Sequence, residues 1–141
     1  MAITEFKGKY LFLSNFYTST VEYQGLTFKN AEAAFQAQKC RTRDEKEKFC
    51  GLDASSAKRL GRHVILRSDR EEVKVQIMFE IVYAKFTQNA YLKRKLMETG
   101  DERLVEGNWW GDTTWGMCEG KGKNLLGAIL MNIRSEFQEQ A

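Results

Sequence analysis

Glu32, Gln36 and Lys39 fall at i, i+4 and i+7 in the stretch AEAAFQAQK, so on a helix they line one face. A carboxylate, an amide and an amine in a row can be a solvated stripe or the wall of a polar pocket. In a pocket, Glu32 is pulled two ways. The helix start favours its charged form, and desolvation favours the neutral acid that suits acid–base work. Lys39 in a dry site can shed its proton and attack a sugar C1 as a Schiff-base amine, or it can hold a phosphate. Asp112, between Gly111 and Thr113, can reach a ribose hydroxyl or a developing positive charge. Trp110 and Trp115 can stack on a flat base. Lys121, Lys123 and the amides of Gly120, Gly122 and Asn124 precede a helix start and form a ready anion site. These are the parts of a nucleotide or ribosyl-phosphate site. They also suit cleavage of an N-glycosidic bond, whose oxocarbenium-like state carboxylates stabilise without a metal or a histidine.

The loop that supplies half of these groups, Leu104 to Gly127, holds all three tryptophans and six of the eleven glycines. So much Gly makes it a poor helix and a poor strand, and so much Trp predicts that its rings are packed away from water. GKGKNLLG is neither G-x-G-x-x-G nor a P-loop, because no Ser or Thr follows its lysines. His63 is the one histidine and stands in GRHVILRSD without a visible ligand set, which excludes most His-based dyads and metal sites elsewhere. Cys40, Cys50 and Cys118 are odd in number and lack a C-x-x-C pair, as expected of reduced thiols in a cytoplasmic protein. No metal and no cofactor is expected. With 141 residues, 43% hydrophobic and 29% charged, one soluble domain over 1–141 is expected. A net charge of +3 permits an anionic ligand without announcing nucleic acid. No run is long and apolar enough for a membrane span, and no signal-peptide pattern opens the chain.

The elements that must position these groups follow from periodicity. Residues 5 to 17 read as a buried strand or extended segment ending at Ser14-Asn15. Thr20 to Tyr23 and Leu26 to Phe28 flank Gln24-Gly25 and predict a hairpin. Asn30 is a good N-cap for a helix from Ala31 to about Cys40. Arg41 to Lys48 reads as a solvent-facing loop and helix, and Asp53 to Arg62 as a short helix closed near Gly61. The longest helix runs from about Glu71 to Gln88, with Val73, Ile77, Met78, Ile81, Val82 and Phe86 as its apolar stripe and Lys74 and Lys85 flanking it. A further helix carries Leu92 and Leu96 and ends at Gly100. Asn124 caps the last one, which turns Leu126, Ile129, Leu130 and Ile133 inward and frays from Gln138. The fold class is α+β, predominantly α-helical, with a small N-terminal sheet.

FLSNFY at 12–17, AEAAFQAQK at 31–39 and GR at 61–62 resemble the NADAR (YbiA-like) family. So do EEVKVQIM with AKFTQN within 71–89, TGDERLVEGN at 99–108, GDTTWG, and GKNLLGAILMNIR up to Arg134. The resemblance covers nearly the whole chain in order. It implies an α-rich α+β fold and metal-independent N-glycosidase chemistry, on phosphoribosylamino-pyrimidine intermediates of riboflavin synthesis or on ADP-ribosylated guanine. By position it implies Glu32, Lys39 and Asp112 as catalytic. It implies Asn15, Phe16, Tyr17, Gln36, Arg62, Trp110, Gly111, Trp115, Lys123 and Asn124 as substrate-binding. The expected partner is a phosphorylated ribosyl or ADP-ribosyl substrate, including guanine in nucleic acid, with no membrane and an open oligomeric state. The chain departs from the pattern in two places: Arg70 follows Asp69 where similar proteins often carry Trp, and Thr18 follows FLSNFY where proline is common. Two other functions fit the same residues. A non-catalytic ADP-ribose or NAD-binding module would need the Trp and Lys positions but not Glu32, and a nucleic-acid-binding domain would bind plain DNA or RNA with steep salt dependence.

Overall fold

The computed structural model describes residues 2–63 and 70–141. Asp69 and the side chain of Arg70, where the chain departs from the family pattern, lie outside the described residues. The elements in order are β1 (Ala2–Ile3), a 3-10 helix (Gly8–Leu13), β2 (Thr18–Tyr23), β3 (Leu26–Asn30), α1 (Ala31–Ala37), α2 (Arg43–Glu47) and α3 (Ala54–Gly61). There follow α4 (Arg70–Gln88), α5 (Ala90–Glu98), β4 (Arg103–Leu104), β5 (Gly107–Asn108), β6 (Met117–Cys118) and α6 (Leu125–Gln140). This is the expected α+β chain dominated by helices. Contacts group the chain into two compact units, Asn15–Ala90 and Met1–Ser14 with Tyr91–Ala141.

In the unit Asn15–Ala90 the hairpin is as the sequence predicts. Gln24 and Gly25 both take positive φ (50° and 84°), as a two-residue turn matched to strand twist requires. Val21 pairs with Phe28 and Tyr23 with Leu26, and all four are buried. β3 runs straight into α1, because Asn30 is both the last strand residue and the cap: its Oδ1 accepts from Ala33 N at 2.7 Å. α1 packs on α3, β3 and α4, and α4 lies along β2. Tyr23 Oη donates to Glu80 Oε1 at 2.6 Å, and the Gln88 amide bonds both the N–H and the carbonyl of Glu22. α4 buries Met78, Ile81, Val82 and Phe86 as expected. Lys85 does not flank this stripe. It is buried inside it at 1% exposure.

In the other unit β1 pairs in parallel with β4, and α6 packs on β4 through its buried Leu126, Ile129, Leu130 and Ile133. α6 stays regular to Gln140 instead of fraying at Gln138, whose side-chain amide donates to Gly100 O at 3.0 Å. The segment expected as a strand is wound up instead. Gly8 turns with φ 58°, and a 3-10 helix then buries Phe12 and Leu13 while leaving Leu11 42% exposed. A four-residue apolar run, Tyr10 to Leu13, has no periodicity that distinguishes the two outcomes. Among the described residues no helix is long and apolar enough to cross a membrane.

Candidate active site

α1 is buried along its whole length, so its polar side chains are not a solvated stripe. Glu32 is 9% exposed and Gln36 6%. The Gln36 amide donates to Glu32 Oε2 at 2.6 Å, a short bond of the kind an anionic acceptor makes. This fixes which way the Gln36 amide points, because a carboxylate oxygen in that place accepts. Its carbonyl oxygen, Oε1, is then buried without a hydrogen-bond partner in the protein. A buried acceptor in this state costs free energy unless a ligand or water supplies a proton. α3 makes room for it with Gly61: a Cβ at that position would overlap Gln36 Oε1 and stand 2.8 Å from Gln36 Cδ.

The chain before β2 closes on the same pair. Glu32 N donates to Asn15 O at 3.0 Å, and the buried Asn15 side chain reaches Met78 Sδ at 3.3 Å on α4. Phe16 follows with 40% of its surface exposed, and Lys58 Nζ on α3 stands 5.7 Å from its ring centre. The Tyr17 ring lies 5.6 Å from Lys85 Nζ, whose ammonium also sits 5.1 Å from the Phe86 ring. Burial drives the Lys85 amine down to a pKa of about 7. Sequence reasoning did not place Lys58 and Lys85 beside the Phe16 and Tyr17 rings. Both carried a signal. Lys85 stands seven residues after Met78 and so continues the buried stripe, and Lys58 precedes Gly61 by three on the face that meets α1.

Lys39 lies just past the end of α1. α1 ends at Ala37 rather than near Cys40, and Gln38, Lys39 and Cys40 close a tighter turn by donating to the carbonyls of Phe35, Gln36 and Ala37. Lys39, half-buried, then lines a shallow crevice with Phe35, Gln38, Lys74 and Ile77. Arg62 is exposed at the end of α3.

The remaining candidates belong to the other unit. Asp112 folds its own loop: Oδ1 accepts from Thr114 N at 3.0 Å and Trp115 N at 2.9 Å. Asn108 brackets the turn before it, donating to Asp112 O at 2.8 Å and accepting from Asp112 N at 3.0 Å. Between them Gly111 takes φ 88°. The expectation that the tryptophans are packed away is overturned for two of them. Trp109 is 79% and Trp110 48% exposed, because the Asn108–Asp112 closure leaves them at the tip of a tight turn. Trp115 is half-buried.

Asn124 starts α6 but does not cap it. It sits at φ 51°, and its side chain is drawn sideways to accept from Glu106 N and donate to Leu104 O, both at 3.0 Å. The first amides of α6 are satisfied by the preceding loop instead. Lys123, Asn124, Leu125 and Leu126 N–H donate to the carbonyls of Thr113, Gly116, Thr114 and Trp115. A cradle of free amides for phosphate is therefore absent at Asn124, and the Lys121 amide is likewise given to Cys118 O. The Lys121 and Lys123 side chains remain exposed. Among the described residues no three His, Cys, Asp or Glu side chains gather as metal ligands would.

Comparison with known proteins gives the chain a family. A riboflavin biosynthesis protein of Vibrio vulnificus is 38% identical over 137 residues, covering 92% of this chain, although the chain spans 36% of that protein's length. N-glycosidase YbiA of Escherichia coli is 36% identical over 131 residues, 88% of this chain and 79% of YbiA. The solution structure of the E. coli protein YbiA superimposes with a TM-score of 0.86 at 33% identity, over 99% of this chain and 85% of that one. The model of the NADAR domain matches residues 4–138, across both compact units, and the chain belongs to the NADAR family.

Proposed function

We propose that this chain is an N-glycosidase, hydrolysing the bond between a base, or a base-like amine, and ribose in a phosphorylated substrate. The observation that carries this is the buried Glu32–Gln36 pair with its unsatisfied amide oxygen. As the C1–N bond breaks, its electron pair leaves with the base and positive charge grows on the ribose ring. The Glu32 carboxylate, held by the Gln36 amide, stabilises that charge, water adds its oxygen to C1, and the proton it loses goes to the departing base. Gln36 Oε1 accepts a hydrogen bond from the ribose or from that water. Phe16 provides an exposed ring for the base, and Lys39 serves as nucleophilic amine or phosphate partner.

The names of the relatives favour a phosphoribosylamino-pyrimidine of riboflavin synthesis, and ADP-ribosylated guanine, free or in nucleic acid, is the second substrate to test. The Asp112 contact to ribose or water stays part of this proposal, as do the binding roles of Arg62, Trp110, Gly111, Trp115, Lys123 and Asn124. The cytoplasm is the compartment that suits three free thiols. Side-by-side turnover of the two substrates tests the reading. Glu32→Gln is expected to lower kcat about 10²- to 10⁴-fold with little change in substrate affinity. Full activity in that variant would remove Glu32 from the chemistry. Tight binding of ADP-ribose by the unaltered protein, with no product after long incubation, would show a binding module instead.

A further inference from the structure

A loop tip that displays two tryptophans to water is unusual, because an indole is among the most rewarding side chains to bury. Trp109 leans on Trp110 edge to face, with ring centres 5.7 Å apart and planes at 85°. This contact supports one edge of the Trp109 ring and leaves the ring 79% exposed. The turn beneath is braced by the paired Asn108–Asp112 bonds and by the two amides on Asp112 Oδ1. A flat aromatic face is thus preorganised and open.

We propose that this tip is a stacking site for an unpaired nucleobase carried on a single-stranded nucleic acid. Two side chains bury far too little area for a stable protein interface, which needs roughly 800 Å² from each partner. Around them stand Asn108, Gly111, Asp112 and Thr113, none of which extends an apolar patch. A base needs only the ring face, and every base has one. Lys123 N donates to Thr113 O at 2.8 Å, which brings the exposed Lys121–Lys123 segment alongside the turn, where ammonium groups can meet the phosphates of a strand. Glu119, also exposed, offsets part of that charge, so stacking dominates and the salt dependence is shallow. Trp110, Asp112 and Lys123 also belong to the glycosidase reading, but the stacking ring, Trp109, has no part in it, so loss of Trp109 tests this site separately.

The test uses the full chain, a labelled short oligothymidylate and the matching duplex, read by fluorescence anisotropy at low and moderate salt. Single-strand binding is expected to exceed duplex binding. Trp109→Ala should weaken it roughly 5- to 150-fold, and Trp109→Phe should recover most of the loss. Circular dichroism of both variants should match the parent, since the ring is largely exposed. Equal affinity in Trp109→Ala overturns the proposal. So does duplex binding as tight as single-strand binding, which would mean backbone charge alone. A self-association lost in Trp109→Ala by sedimentation would also overturn it, by giving the tip to a second copy of the chain.

Discussion

Gly61 shows how one missing methyl group can serve a site on another helix. In an ordinary helix Gly costs about 1 kcal/mol relative to Ala, so its presence within α3 has to be repaid. The return is space: a Cβ would overlap Gln36 Oε1, and Gln36 Cβ lies 3.3 Å from the same point. The stem of Gln36 is fixed in α1, so the amide end must swing away, breaking its 2.6 Å bond to Glu32. Gly61→Ala is therefore expected to change stability by only about 1 kcal/mol, as helix propensity and the lost bond offset each other. Its kcat should fall toward that of a Gln36 variant. Denaturant unfolding and turnover measured on the same preparation check this, and an unchanged kcat would mean that the Gln36 amide does not hold the carboxylate in the working state.

Elements were legible where one local rule decided them, and illegible where a distant partner did. Asn30 behaves as the sequence predicts because its cap is three residues away, and Gln24-Gly25 because the turn is complete within the hairpin. Asn124 looked like the same kind of cap. It is not one, because Glu106 N and Leu104 O, some twenty residues earlier, claim its side chain. Lys85 was misread for a related reason. A charged side chain is assigned to the flank of a stripe unless its neighbours in space are known, and here they are the rings of Tyr17 and Phe86. In the candidate site, the helix face carrying Glu32 and Gln36 was legible from spacing alone. The tight turn that carries Lys39 to the Lys74 crevice was not, nor was the exposure of Trp109. The Asn124 geometry can be tested by a pair of substitutions. Asn124→Ala strands two buried backbone groups and puts a Cβ-bearing residue of poor left-handed tolerance at φ 51°, for a loss of about 2–4 kcal/mol. Asn124→Gly strands the same groups without the backbone strain and should lose about 1 kcal/mol less. Equal losses in urea unfolding would mean that the left-handed conformation relaxes without cost.

At the scale of the whole molecule, the buried amine of Lys85 should be visible in how stability responds to pH. Burial lowers its pKa from 10.5 to about 7, whereas the unfolded chain keeps the higher value. Between these values the unfolded state holds a proton that the folded state has released, so unfolding becomes less favourable as pH rises. Below about pH 7 both states are protonated, and the cost of a buried ammonium is carried in full. Stability should thus climb from pH 7 to pH 9, with a slope of at most about 1.4 kcal/mol per unit from this group. Cys40 and Cys50 act in the opposite sense: burial raises both thiols above 9.0, so the unfolded chain ionises first and stability is lost above that pH. Lys85→Met keeps the length and the aromatic contacts and removes the titration. Urea unfolding at pH 7, 8 and 9 should show a rise in the parent that is missing in Lys85→Met, and the variant should be the more stable of the two at pH 7. Parallel curves would mean that an anionic neighbour holds the ammonium charged in the fold. Lys85 would then act as one half of an ion pair beneath the Asn15–Tyr17 segment, and its removal would lower stability at every pH.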